Sequence, residues 1–291
     1  MRTTRRAAHA GTWYESNPDK LGQELDGYLS CAGPPAKAII APHAGYRYSG
    51  RTAGACYSRF KSLPPGSVKV VYILGPLHHF RSEVGLLSLA TTLETPLGEL
   101  QVDSREQSWL LAELPGLFKA WPSLAHEEQE HSLEMHLPLV ARVFGLGVKV
   151  VPIGLGRMSS QLQLEMGQVI AQRVLVNPQA VVVVSSDFCH WGPRFRYQFR
   201  VDTTVPIHQS VAELDRRAMD LIRAKDFVGF QAYLRETGNT ICGQRPIAVL
   251  LAAVEGMEEA TIEFVHYEQS MACTSMDHNS VSYAAGVMQV T

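Results

Sequence analysis

The sequence predicts an α/β protein, a three-layer α/β/α sandwich around a mixed, mostly parallel central sheet. Short unbroken apolar runs rich in Val and Ile recur at 38–41, 68–74, 148–153 and 180–185, the pattern of strands buried on both faces. Segments with helical length and periodicity lie between them, and strands alternating with helices build a sheet covered on both sides. Three runs then close on histidine: Ala41-Pro42-His43, Gly75-Pro76-Leu77-His78-His79 and Ser185-Ser186-Asp187-Phe188-Cys189-His190. In open α/β sheets ligands bind beyond the carboxyl ends of the strands. His43, one of His78 and His79, and His190 are therefore expected in one polar pocket.

In chain order, Asn17 is placed to cap a first helix, Pro18 suits its first turn, and Leu21, Leu25, Tyr28 and Leu29 share a face. Strand 38–41 leads through a small-residue loop to a helix near 49–61. Strand 68–74 precedes a strand-like 85–89 and a helix around 104–114. Residues 115–130, with Pro115, Pro122 and the acidic run Glu127-Glu128-Gln129-Glu130, read as irregular. A helix over 132–144, strand 148–153, helix 159–174 and strand 180–185 continue the alternation. Helices at 208–224, 226–236 and 245–256 precede strands near 261–267 and 280–289. No helix separates those two strands, which makes the sheet mixed. Without a repeat, low-complexity tract or linker, one domain over 1–291 is expected.

The bulk properties exclude several classes. With 46% hydrophobic and 19% charged residues and a net charge of −2, the chain has a sizeable core and no basic block for nucleic acid or an anionic membrane. No apolar run is long enough to span a bilayer. The start, Met1-Arg2-Thr3-Thr4-Arg5-Arg6, is basic but lacks the apolar core of a secretory signal. The expected location is the cytoplasm, with the nucleus second and a mitochondrial presequence as a weaker alternative. Five widely spaced cysteines, Cys31, Cys56, Cys189, Cys242 and Cys273, form no CxxC pair and suit free thiols in a reducing compartment.

Among the candidate chemical groups, Asp187 and His190 can pair, the carboxylate orienting the ring of a metal ligand or general base. Cys242, between two predicted helices, reads in isolation as a small buried hydrophobe, and as a ligand or nucleophile if its thiol is acidified. In His131-Ser132-Leu133-Glu134-Met135-His136 the HExxH spacing is absent. His131 and Glu134 can share a helical face and remain possible pocket residues, whereas His136 is expected at the surface or behind the pocket. His9, His126, His208, His266 and His278 carry no context that distinguishes them. Phosphate-loop, dinucleotide and nucleophile-elbow signatures are missing.

Six segments, Ala8-His9-Ala10-Gly11-Thr12-Trp13-Tyr14, Ile39 through Tyr46, Glu130 through Pro138, Ser185 through Gly192, Thr240-Ile241-Cys242-Gly243 and Ser280 through Gly286, resemble the Memo family, named for mediating receptor-tyrosine-kinase-driven cell motility. The match runs in order over almost the entire chain, and the cysteines at 189 and 242 resemble the eukaryotic branch. The resemblance implies a fold like that of the class III extradiol dioxygenases, which hold Fe(II) on two histidines and a glutamate. It implies His43, His78 and Cys242 as metal ligands, iron (Fe2+) or copper as the cofactor, and catalytic roles beside the metal for Asp187 and His190. A thiolate in place of the carboxylate is softer and puts ring cleavage in doubt. Leu77 stands where a small polar residue is expected, and would narrow or dry the pocket mouth.

Three functions compete. The first is a metal-binding protein with oxygen-linked redox activity and a role in receptor-to-cytoskeleton signalling. The second is a non-catalytic adaptor receiving a phosphotyrosine-containing receptor tail or signalling protein in the same pocket, with Arg47 or Arg194 supplying positive charge. The third, ranked last for want of an oxyanion-hole motif, is a hydrolase or acyl transferase using Cys242 with His190 as base.

Overall fold

The computed structural model describes residues 2–30 and 33–290; Cys31, expected as a free thiol, lies outside them. A short strand β1 (Thr4–Arg5) leads to α1 (Pro18–Tyr28), whose cap Asn17 accepts the amides of Asp19 and Lys20. Strand β2 (Ala38–Ala41), helix α2 (Tyr46–Tyr57) and strand β3 (Val70–Pro76) follow. Next come β4 (Gly85–Leu87), the hairpin β5 (Thr92–Thr95) and β6 (Gly98–Val102), and α3 (Ser104–Glu113). The stretch expected to be irregular holds β7 (Phe118–Ala120) and α4 (Leu124–Gln129), capped by Ser123. Both are too short for periodicity to reveal.

The helix expected over 132–144 is two helices, α5 (His131–Glu134) and α6 (Leu137–Phe144). Pro138 is the reason: it has no N–H to bond back to Glu134 and disfavours helical backbone just before it. Strand β8 (Lys149–Leu155), helix α7 (Ser160–Ile170), which runs on as a wider turn to Leu175, and β9 (Ala180–Ser185) come next. After β10 (His190–Trp191), three helices α8 (Ile207–Arg223), α9 (Phe227–Thr237) and α10 (Gln244–Ala253) precede β11 (Ala260–Gln269) and β12 (Ser280–Val290).

Strands β6, β8, β3, β9 and β2 lie side by side, all parallel. Antiparallel pairing of β12 with β2 and β11, and of β5 with β6, makes the sheet mixed, as expected from the closing strands. Successive residues of the central strands feed opposite layers, as the two-residue period requires. Ile39, Ala41, Val71, Ile73, Val181 and Val183 join the core containing α1, α2 and α6. Ile40, Tyr72, Leu74, Val182 and Val184 join the core beneath α7 to α10. The result is the three-layer α/β/α sandwich. Among the described residues no helix is long and apolar enough to cross a membrane.

Candidate metal centre

Because β2, β9 and β3 are parallel neighbours, their carboxyl ends deliver His43, the 187–190 segment and His78 to one edge of the sheet. Cys242 arrives in the turn before α10. Its N–H donates to the Asp187 carbonyl (3.2 Å), and Gly243 N–H donates to Ser186 Oγ (3.1 Å). Thr240 Oγ1 accepts from His190 N–H (2.7 Å) and donates to the His190 carbonyl (3.0 Å). A Cβ on Gly243 would run into the Ser186 side chain and the Ser185 carbonyl, so this approach needs glycine.

A ring nitrogen from each of His43 and His78 and the Cys242 thiol lie within 4.8 Å of one another. The hydrogen-bond network assigns which nitrogens are free. Ser185 Oγ donates its one proton to the Ser132 carbonyl (2.8 Å), so it can only accept from His43 Nδ1 (2.7 Å). That leaves the His43 Nε2 lone pair buried with no hydrogen-bond partner. Burial and the neighbouring imidazoles of His78 and His131 push His43 well below the usual imidazole range, which keeps it neutral. His78 Nδ1 lies 2.8 Å from Glu130 Oε1, and Glu130 Oε2 accepts the His78 main-chain N–H (2.6 Å). Burial raises the Glu130 carboxyl, but the hydrogen bonds and charge of His78 and His131 outweigh it and hold it at about 2. With Nδ1 committed to an ionised acceptor, the nitrogen left to face a metal is Nε2.

His190 donates Nδ1–H to the Phe188 carbonyl (2.9 Å), and Cys242 Sγ lies beside the ring, 3.6 Å from Nε2 and 3.8 Å from Nδ1. Burial, Asp187 and Glu130 push the Cys242 thiol well above its ordinary value. A cation among these donors reverses that preference. The Asp187 carboxyl is raised by burial to about 7. Its Oδ1 accepts the His43 N–H (2.8 Å) and its Oδ2 lies 4.0 Å from His43 Nε2. Three donors sharing an ion at roughly 2.0–2.3 Å sit about 3.3–4.0 Å apart. Two imidazole lone pairs and a thiol within 4.8 Å therefore fit a metal after shifts of tenths of an ångström. Glu130 and His131 also group with His78, but Glu130 is already committed to His78 and to the Ser132 N–H (3.0 Å).

Several placements differ from those expected. Asp187 serves the His43 main chain, and the ring partner of His190 is the Phe188 carbonyl, so the expected Asp187–His190 pair is not the one formed. Of the two adjacent histidines, His78 faces the cluster, while His79 lines a neighbouring cavity. His136 is not at the surface. It is fully buried, with Nδ1 3.1 Å from the Tyr57 hydroxyl. Leu77 lies over Gly154 and lines that neighbouring cavity, away from the mouth it was expected to narrow.

His131 reaches the pocket, its ring stacked on His78 at 4.3 Å. Glu134 lies buried behind, taking Arg5 Nη1 (2.7 Å), the Tyr14 hydroxyl (2.8 Å) and the His9 main-chain N–H (2.8 Å). Burial raises that carboxyl, yet the hydrogen bonds of His9 and the charge of Arg5 hold it at about 2.

Sequence reasoning missed Glu130, Arg5, His9 and Ser185. Arg5 Nη2 also donates to the carbonyls of Glu127 (3.2 Å) and Glu130 (2.8 Å), tying the N-terminal segment to the residues beside His78. The available signal was Glu130-His131 directly after an acidic run, together with a lone Arg in a short strand. A cavity of about 810 Å³ opens from the cluster and is lined also by Trp13, Arg47, Tyr48, Arg194 and Phe195.

The class this defines is an α/β/α protein with a histidine–histidine–cysteine cluster at the carboxyl ends of its parallel strands. The fold is shared with an uncharacterized protein from Escherichia coli K12, at a TM-score of 0.50 and 13% identity, covering 84% of this chain and 98% of that one. The model of the Memo-like proteins matches residues 5–287, and the chain belongs to that family. It is 40% identical to protein MEMO1 of Xenopus laevis and 38% identical to that of Homo sapiens, each over 98% of this chain and 97% of the relative. It is 37% identical to the memo-1 homolog of Caenorhabditis elegans, over 99% of this chain and 83% of that protein.

Proposed function

We propose that this Memo protein binds iron or copper through His43 Nε2, His78 Nε2 and Cys242 Sγ. In this reading the bound ion supports oxygen-linked redox activity, in a protein that relays receptor signals to the cytoskeleton during cell migration. The observation that carries the metal reading is the His43 Nε2 lone pair, buried, unpartnered and held in one tautomer by Ser185. A buried acceptor of this kind is unfavourable unless something occupies it. Two imidazoles and a thiolate suit copper or a tightly held iron, and when bound the ion supplies one-electron redox chemistry. Around it Glu130 orients His78, Asp187 holds or releases a proton near neutral pH, and His190 Nε2 accepts one beside the thiol. Ring cleavage is not part of the proposal, because a thiol takes the place of the carboxylate donor. A thiol raised this far also counts against Cys242 as an acyl-transfer nucleophile.

The test is anaerobic calorimetry with Fe(II) and Cu(I) on the wild type and on Cys242→Ser. Binding of one ion per chain, weakened by the substitution, is expected. A chain that takes up neither ion ends the metal reading. A second reading, the phosphotyrosine adaptor, is favoured by Arg47 and Arg194 lining the same cavity as Trp13, Tyr48 and Phe195. Phosphotyrosine peptides titrated against metal-free and metal-loaded protein separate the two, since competition requires one site.

A further inference from the structure

We propose that a second cavity, on the arginine-lined side of His78 and Cys242, binds a phosphoryl group. This cavity, about 740 Å³, is lined by Arg81, Arg157, Arg245, His79 and Gln244, and it shares only His78 and Cys242 with the larger one. Its described lining contains no Asp or Glu. None of the three guanidinium groups makes a hydrogen bond or ion pair with the described residues. Most other arginines whose pairing is visible, such as Arg5, Arg6, Arg142 and Arg173, sit on a carboxylate.

Within the cavity, Arg245 is half-buried and its Nε is buried without a partner. Burial, then the charge of Arg157, lowers its affinity for its proton, so the two cations feel one another. Leaving like charges together with a guanidinium nitrogen dry and unpaired is unfavourable. An entering anion removes both penalties.

The chemistry narrows the anion. Guanidinium forks match phosphate and carboxylate oxygens bidentately. Three forks on one cavity exceed what the two oxygens of a carboxylate can accept, whereas a phosphoryl dianion presents three peripheral oxygens. Gln244 and Arg245 are also the first two residues of α10, whose cap, Gly243, brings no side-chain acceptor. Their main-chain N–H groups add to a field that favours an anion. Inorganic phosphate and phosphate monoesters share this chemistry, and the arms of the test separate them.

The test uses the full chain stripped of metal, so its outcome does not depend on the metal reading. Inorganic phosphate, phenyl phosphate and citrate are titrated calorimetrically at constant ionic strength set with chloride. The variants are Arg157→Gln, Arg245→Gln and, as a control on the exposed face of α8 outside both cavities, Arg216→Gln. Arg157 is exposed and Arg245 half-buried, and neither bridges an acid, so the variants should keep the wild-type circular dichroism. Saturable phosphate binding is expected, weakened about tenfold or more in Arg157→Gln and Arg245→Gln and unchanged in Arg216→Gln. Tighter binding of phenyl phosphate than of phosphate identifies a monoester ligand, and equal binding identifies the free anion. Binding no stronger than that of chloride overturns the proposal. So does affinity unchanged in both cavity variants, or citrate binding more tightly than either phosphate.

Discussion

Glu130→Gln is the substitution that most directly tests how the cluster is held. Glu130 is 1% exposed, and both of its oxygens face donors. Oε2 takes the His78 N–H at 2.6 Å, and Oε1 takes His78 Nδ1 at 2.8 Å and the Ser132 N–H at 3.0 Å. A glutamine must turn its NH2 toward one of these sides, so at least one charge-assisted hydrogen bond is lost and an N–H confronts an N–H. Such a bond contributes about 1.5–3 kcal/mol. Loss of the group behind a ligating histidine typically weakens metal binding about 10–100-fold, or about 1.4–2.7 kcal/mol. The two figures overlap, so a 10–100-fold drop in Fe(II) or Cu(I) affinity is expected, read by anaerobic competition with a chelator of known strength.

Glu130→Asp separates the effect of charge from that of shape, because it keeps the carboxylate one methylene further away. Its affinity should fall between those of wild type and Glu130→Gln, with all three proteins matched by circular dichroism. If a folded Glu130→Gln binds within twofold of the wild type, Glu130 does not set the His78 tautomer, and the reasoning about that ring is wrong.

Two other buried groups give predictions independent of any metal. Arg5→Met leaves the fully buried Glu134 carboxylate without its guanidinium, which should lower stability by about 3–5 kcal/mol in urea unfolding; a loss below about 1 kcal/mol would show that His9 and Tyr14 suffice. His136 is held by burial at about 3, below the roughly 6.5 of an unfolded chain. Its contribution is therefore present above pH 6.5 and declines as the pH falls, because the unfolded state takes up a proton that the folded state refuses. Between pH 7 and 5 this amounts to about 2 kcal/mol of lost stability. In NMR titration of the folded protein the His136 ring signals should stay at their neutral positions down to pH 5, and a midpoint near 6.5 would contradict its burial as the cause.

The sandwich was legible because it is written in short-range pattern. Runs such as Val181-Val182-Val183-Val184 have one reading in a chain of this composition, and parallel packing then sends every such strand's end to the same edge. That is why His43 and the 187–190 segment could be grouped from residues 144 positions apart. What pattern leaves undecided is direction. His78 and His79 are equivalent by spacing, and Glu130, 52 residues downstream, selects His78 by holding both its main chain and its ring. Cys242 looked like a small core residue because nothing in Asn239-Thr240-Ile241-Cys242-Gly243 announces that Thr240 and Gly243 stitch the turn to the 186–190 segment beyond β9.

Three of the missed residues share one physical property. Glu130, Arg5 and Ser185 touch no open space that a ligand could fill; each acts by fixing the far nitrogen, charge or backbone of a residue that does. Their partners lie at separations of 52, 125 and 142 residues, beyond any periodicity. In turn they decide what the site can do: an imidazole with Nδ1 committed presents Nε2, and one left uncommitted presents either nitrogen. A variant that keeps His43, His78 and Cys242 but loses Ser185 or Glu130 retains every ligand and loses the arrangement that makes them ligands. Affinity should therefore track these supporting groups nearly as closely as the cluster itself.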